Sequence, residues 1–259
     1  MMRWLAVAAV VVWVRVHAAP SAEQLLQTGV QEFARAYQSW DGAGFEAAAR
    51  LFDAALAAGP ESATAFYWLG AAHFHRVLYL RNSFEPNANA AEAAMDAALA
   101  ALNRAVKLDP GHAEAHALLG TLYGMRIDGN LVRGLRFGAR VEKHRAAALK
   151  HGADNPRVRY LLGTCQFHTA KKPAAWWEAL ATLQAAEQLF AAEAQRPAGP
   201  REPRWGQASC LMFIGLTFEK LGQRERASEY LRRALALQPS NRLAREALAR
   251  VEGGPKNQS

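Results

Sequence analysis

The chain lacks most features that mark an enzyme or a β-protein. Beyond residue 16, runs of β-branched residues are scarce, so an extended sheet has little to build on. It contains no P-loop, Gly-x-Ser-x-Gly elbow, His-Glu-x-x-His pair or dinucleotide fingerprint, and the chemistries those motifs carry have no foothold. Cysteine is limited to Cys165 and Cys210, too few for a convincing metal site. His112 and His116 have the i, i+4 spacing that places two imidazoles on one helix face, but no third ligand accompanies them. One N-terminal and one packing histidine account for the pair, and packing explains His73 at the repeat's tyrosine position. Catalytic, cofactor and metal residues are therefore assigned to none, and the expectation is a non-enzymatic protein.

No apolar run reaches the roughly 20 residues that a membrane-spanning helix needs. The nearest candidate, "WLAVAAVVVWV" over 4–14, follows Arg3 and stops at Arg15. A short charged start, a short apolar stretch and small residues at Val16 and Ala18 form the pattern of a secretory signal. Residues 1–18 are expected to leave with a cut after Ala18, with an uncleaved anchor as the alternative. No cysteine follows the run to carry a lipid. The expected location is periplasmic or secreted, with no transmembrane segment after signal removal.

The net charge of +8 is regional. Residues 126–160 hold nine lysines and arginines against three acids, while Arg3 and Arg15 belong to the signal. The remainder is balanced. Arg126, Arg133, Arg136, Arg140 and Lys143 form the candidate basic surface, and the last four share a helical stripe by their spacing. That stripe is either a solvated face or a contact for an anionic envelope surface or acidic partner. Nucleic acid is a poor match for an exported chain.

What the chain does have is alanine and periodicity. Alanine loses no side-chain entropy in a helix, so the composition favours an all-α fold. The clearest unit is "ASCLMFIGLTFEKLGQRERASEYLRRALALQP" over 208–239. Gly215 and Ala227 are the small residues where two helices cross, Leu231 fills the space between them, and "KLGQ" makes the turn. The pattern recurs at Leu69-Gly70 with Ala98 and Leu102, at Leu119-Gly120, and at Leu162-Gly163 with Ala179 and Leu183. A degenerate first unit spans about 22–60. "SNRLAREALARVEG" reads as a capping helix begun by Ser240.

This pattern resembles the tetratricopeptide repeat family over nearly all of 22–252. The resemblance implies a right-handed superhelical solenoid of antiparallel helix pairs, about five hairpins plus a C-terminal capping helix. Its expected extent is 19–252, with a disordered tail over 253–259. Two insertions interrupt the standard spacing: "RVLYLRNSFEPNANAAE" (76–92) lengthens the second hairpin, and "QRPAGPREPRWG" (195–206) is a Pro-rich connection. The third unit's second helix is expected to begin near Phe137, after an enlarged connection. Gly134 and Gly138 are read there as points of close helix approach.

The resemblance also implies a concave groove lined by fixed positions of each first helix. Counting from the repeat glycines selects Tyr67, Phe74, His75, Met125, Tyr160, Thr164, Phe167, His168 and Met212 as the partner-binding groove. Glu114 and Arg157 fall at the second position of consecutive units. By the same count Cys165 and Cys210 lie about two turns apart in height, which favours two thiols over a bond. The lysine–asparagine clamp of chaperone-binding members is absent, its places held by pairs such as Tyr67/Ala71 and Tyr160/Thr164. The groove is expected either to be open or to be filled by a long insert. One of Trp176 and Trp177 must point away from its own hairpin.

Residues 120–169 further resemble exported bacterial tetratricopeptide proteins of unassigned function. The likeness lies in Tyr123-Gly124, Arg126-Ile127, Asn130, Asn155-Pro156-Arg157-Val158 and Leu162-Gly163, but departs at "AKKPAAWW". The implied role is a scaffold or adaptor for another protein or peptide of the bacterial cell envelope. A small-ligand-binding accessory of a transport system, with an aromatic pocket, is the alternative.

Overall fold

The computed structural model describes residues 19–253. The expected signal with its cut, and the tail beyond Gly253, lie outside the described residues. Within them are eleven helices and no strand: α1 (Ala22–Ser39), α2 (Gly42–Ala58), α3 (Ala63–Asn82), α4 (Ala88–Leu108), α5 (Ala113–Ile127), α6 (Leu131–Gly152), α7 (Pro156–Thr169), α8 (Pro173–Ala194), α9 (Gln207–Lys220), α10 (Arg224–Leu237) and α11 (Arg242–Gly253). Consecutive pairs pack as antiparallel hairpins, and first helices stack on first helices, α3 on α5 and α5 on α7. This is an all-α solenoid of five hairpins with α11 closing its end.

Polar caps set the helix starts. Ser21 and Gln24 form a capping box on α1, while the side chains of Ser62, Asn87 and Asn130 accept from backbone N–H groups at the starts of α3, α4 and α6. Asn155 accepts from both Arg157 and Val158, and Pro156 occupies the first position of α7, where its missing N–H costs nothing. Helix crossings follow from the small residues. A methyl group added to Gly70 would lie 2.4 Å from Leu102 Cγ, and one added to Gly215 would lie 2.8 Å from Leu231 Cγ. The side chains read from the repeat pattern thus fill the space their glycines leave.

The third hairpin departs from expectation. Its second helix begins at Leu131, two turns before Phe137. Asp128 and Gly129 both adopt positive φ, 44° and 69°, and reverse the chain within three residues. Asn130 then caps Arg133 N at 3.0 Å. The connection is short, and the extra length is helix. Gly134 and Gly138 mark no close approach, since an added methyl would meet only Ile127 at 3.8 Å in the first case and nothing within 4 Å in the second. At α11 the capping side chain is Asn241, bonded to Ala244 N at 3.0 Å. Ser240 instead donates to the Gln38 carbonyl of α1 at 2.6 Å.

That last contact shows the stack closing on itself. Gln38 Nε2 donates to the Leu237 carbonyl at 2.8 Å, Gln238 Nε2 donates to the Tyr37 carbonyl, and Arg242 donates to the Asn82 carbonyl. The 195–206 connection reaches inward as well as around, and it shapes the site.

Candidate functional site

The concave wall is filled by the chain's own strap, residues 195–206. Trp205, 2% exposed, inserts among first-helix aromatics. Its ring lies edge-on to His75 at 4.9 Å and to Tyr160 at 6.5 Å, and its indole N–H donates to Tyr67 Oη at 3.1 Å. Trp68 Nε1 donates to the Arg201 carbonyl at 3.2 Å, and Gly206 N donates to Tyr37 Oη at 3.0 Å. The wall thus engages both side chain and backbone of an extended segment.

Beneath the strap lies a buried ionic cluster. Arg157 of α7 donates from Nε to Glu114 of α5 at 2.7 Å, from a terminal nitrogen to Glu193 of α8 at 3.0 Å, and to the Trp205 carbonyl at 3.3 Å. Tyr67 Oη donates to Glu114, and Asn155 Nδ2 adds a bond to the same carboxylate at 2.8 Å. Burial lowers the pKa of Arg157, but Glu114 and Glu193 outweigh it and hold the guanidinium above its ordinary value. Burial and the Glu114 carboxylate together push the Tyr67 phenol up. Each partner is satisfied only while the others are present.

The groove residues named from sequence fall into two sets. Tyr67, Phe74, His75, Tyr160, Thr164 and Met212 are buried. Tyr67, Phe74, Tyr160 and Met212 belong to the core, His75 packs its ring against Phe33, Phe45 and Trp205, and Thr164 turns its hydroxyl to the Leu161 carbonyl at 2.8 Å. Met125 is half-buried, packed on the core. Phe167 and His168 remain accessible and contact Phe213 at 5.4 and 5.5 Å. The groove is therefore filled, and the 195–206 connection fills it rather than the 76–92 insert. That insert lengthens α3 and α4 and makes the 83–87 loop.

Of the recesses among the described residues, two border the aromatic inner wall. A trough of about 410 Å³ runs between α1 and the strap, lined by Val30, Ala34 and Tyr37 on one side and Glu202 and Arg204 on the other. A smaller recess of about 180 Å³ lies between Tyr160, His168, Met212 and Phe213 and the Trp40–Arg242 side.

The histidines and thiols take structural places. His112 caps α5 and stacks on Tyr67 at 4.7 Å, whereas His116 Nδ1 meets His144 Nδ1 at 2.9 Å and its Nε2 meets the Pro110 carbonyl at 3.1 Å. Among the described residues no group of three His, Cys, Asp or Glu could hold a metal ion. Cys165 lies by the Thr121 hydroxyl, Cys210 by the Leu183 carbonyl, and both are free thiols whose pKa burial raises. Trp177 is the exposed member of its pair, at 46%.

The basic residues also divide. Arg126 pairs with Glu92 and Asp96 of α4 and is half-buried. Arg136 and Arg140 lie over the Phe137 ring at 5.2 and 5.9 Å, and Arg133 donates to the Arg126 carbonyl at 3.2 Å. Arg133, Arg136, Arg140 and Lys143 are exposed, and among the described residues none forms an ion pair.

Sequence reasoning missed Tyr37, Glu193 and Trp205. A partial pointer existed: Glu114 and Arg157 occupy the same repeat position in consecutive units, so they line up one repeat apart. Nothing local could show that the strap turns inward.

Family models of the tetratricopeptide repeat match residues 32–82 and 208–251. The fold is similar to that of a thermophilic tetratricopeptide repeat protein of Thermus thermophilus, at 16% identity and a TM-score of 0.64, over 90% of this chain and all of that one. It is also similar to the HusA haemophore of Porphyromonas gingivalis, at 18% identity and a TM-score of 0.62, over 79% of this chain and 96% of that one. No curated protein matches the sequence. Both matched segments carry tetratricopeptide repeats, and the fold is that of an all-α tetratricopeptide-repeat solenoid.

Proposed function

We propose that the protein is a non-enzymatic scaffold of the bacterial cell envelope that holds an extended segment of a partner protein in the trough between α1 and the strap. One observation carries the reading: the adjoining wall already binds an extended peptide, its own residues 201–206, through side chain and backbone together. The trough continues that surface. Its α1 side is formed by residues 30, 31, 33, 34, 37 and 38, one helix face about 12 Å long, which suits several residues of extended chain. The envelope location rests on the signal-like pattern of residues 1–18.

Ala34 is exposed and lines the trough, so Ala34→Trp fills it without touching the core. Panning a displayed peptide library on the purified chain should select extended apolar peptides, and Ala34→Trp should lose them. Equal selection by both proteins would overturn the reading. A small-ligand role in transport is the second reading, because about 410 Å³ falls within the roughly 300–1,000 Å³ of small-molecule sites. Native mass spectrometry of chain purified from its own envelope distinguishes them, since a retained small molecule would favour the second.

A further inference from the structure

Helix α6 carries two apolar faces, and only one of them is used. Phe137, His144 and Ala148 are its buried residues, turned towards α5. Leu131, Val132 and Leu135 are 80%, 73% and 82% exposed. At about 100° per residue, the sector they define lies roughly opposite the buried one. A merely solvated face would be polar there. Arg133, Arg136, Arg140 and Lys143 fill the flank between the two sectors, with Arg136 and Arg140 braced on Phe137. From Gly129 through Val141 the sequence contains no acidic residue.

This sector belongs to a longer edge. Because first helices stack on first helices, every hairpin turns at the same edge of the solenoid. The 83–87 turn presents Phe84, 88% exposed, and the start of α8 presents Trp177 behind Lys171 and Lys172. Five of the seven exposed large apolar side chains among the described residues thus stand on that edge. They line none of the recesses described above. They project as tips, a shape that matches a deformable layer better than a rigid protein pocket.

We propose that this edge docks the protein on an anionic bilayer, with Leu131, Val132 and Leu135 entering the headgroup–acyl boundary and Arg133, Arg136 and Arg140 engaging lipid phosphates. Apolar insertion beside a cationic flank is how amphipathic helices bind such surfaces, and the long arginine stems allow the charge to stay at headgroup level while the leucines go deeper. The docking edge is separate from the trough, so each reading stands or falls alone.

The test is cosedimentation with phosphatidylcholine vesicles, with or without one quarter phosphatidylglycerol. The chain from Ala19 onward is used, which holds every described helix and omits the apolar run at 4–14. Wild type should bind the anionic vesicles, weakly bind the neutral ones, and release as salt rises. Leu131→Ser with Leu135→Ser should reduce the partition constant roughly tenfold. Arg133→Gln with Arg136→Gln should reduce it by about fivefold per arginine. Melting curves should match wild type, because all four side chains are exposed. The proposal is overturned if wild type ignores anionic vesicles, if it binds neutral ones equally, or if either double variant binds like wild type. A wild-type dimer that the leucine variant dissolves, with no vesicle binding, would instead make the edge a contact between copies.

Discussion

Arg157 shows how much one side chain can be asked to hold. It is 2% exposed and joins α5, α8 and the strap through Glu114, Glu193 and the Trp205 carbonyl. Arg157→Met would leave two buried carboxylates without their cation, a loss of about 3–5 kcal/mol. Urea unfolding of the variant checks this, and a midpoint near wild type would refute it. Repeat glycines give a finer comparison. A methyl at position 215 meets Leu231 Cγ at 2.8 Å and the Ala227 carbonyl at 3.1 Å, whereas at position 120 the nearest atoms are at 3.7 Å. Gly215→Ala should destabilise by about 1–3 kcal/mol through overpacking. Gly120→Ala should stabilise by roughly 0.5–1 kcal/mol, because alanine is the better helix former and the space is free. Thermal midpoints moving in the same direction would contradict that difference.

At the scale of elements, the strap is the part that distinguishes this solenoid from an open array. It contains no helix, and its order depends on Trp205 and on bonds to Trp68, Arg157 and Tyr37. Trp205→Ala removes the largest of these anchors, at a cost of about 3–5 kcal/mol. The same variant should free the strap backbone at Arg201 and Arg204, so that trypsin cuts there well before the helices. Cleavage at the wild-type rate would show that the strap is held by something else. α6 illustrates the opposite case, an element longer than its sequence suggests. Glycine and arginine after Asp128-Gly129 look like an interruption, yet the Asn130 cap starts a helix at once. The glycines there pack against nothing close, so they record no crossing.

At the scale of the whole molecule, several neutral histidines are buried in the closed stack. His73, His75 and His144 are held at a pKa of about 4, in each case mainly by burial. Arg76 adds to the effect at His73, and His116, Lys143 and Arg140 add to it at His144, while the Ala71 carbonyl opposes it at His75. His112 and His116 are lowered as well, again chiefly by burial. Unfolded, these rings titrate near 6.5, so between about 6.5 and 4 the unfolded chain binds more protons. Stability contributed by the neutral rings is therefore present above pH 6.5 and lost as pH falls towards 4. Urea midpoints at pH 7.5, 5.5 and 4.5 should decline in that order, and a flat series would refute the assignment.

The sequence by itself determined the helical hairpins, their number and the close crossings at Gly70, Gly163 and Gly215, but not the open sites at Gly134 and Gly138. These depend on local propensity and on periodicity between neighbours, both written within one or two units. Repeat position also assigns Tyr67, Tyr160 and Met212 to equivalent faces of their first helices, and all three are buried. It did not determine whether the inner wall is open. Gln38 meets Leu237, and Trp205 meets Tyr67, across far more chain than any repeat spans. The proline-rich composition of the strap says only that it is no helix. Closure of the stack and insertion of Trp205 are long-range packing outcomes, set by which surfaces are left to bury after the hairpins form, and only the tertiary structure decided them.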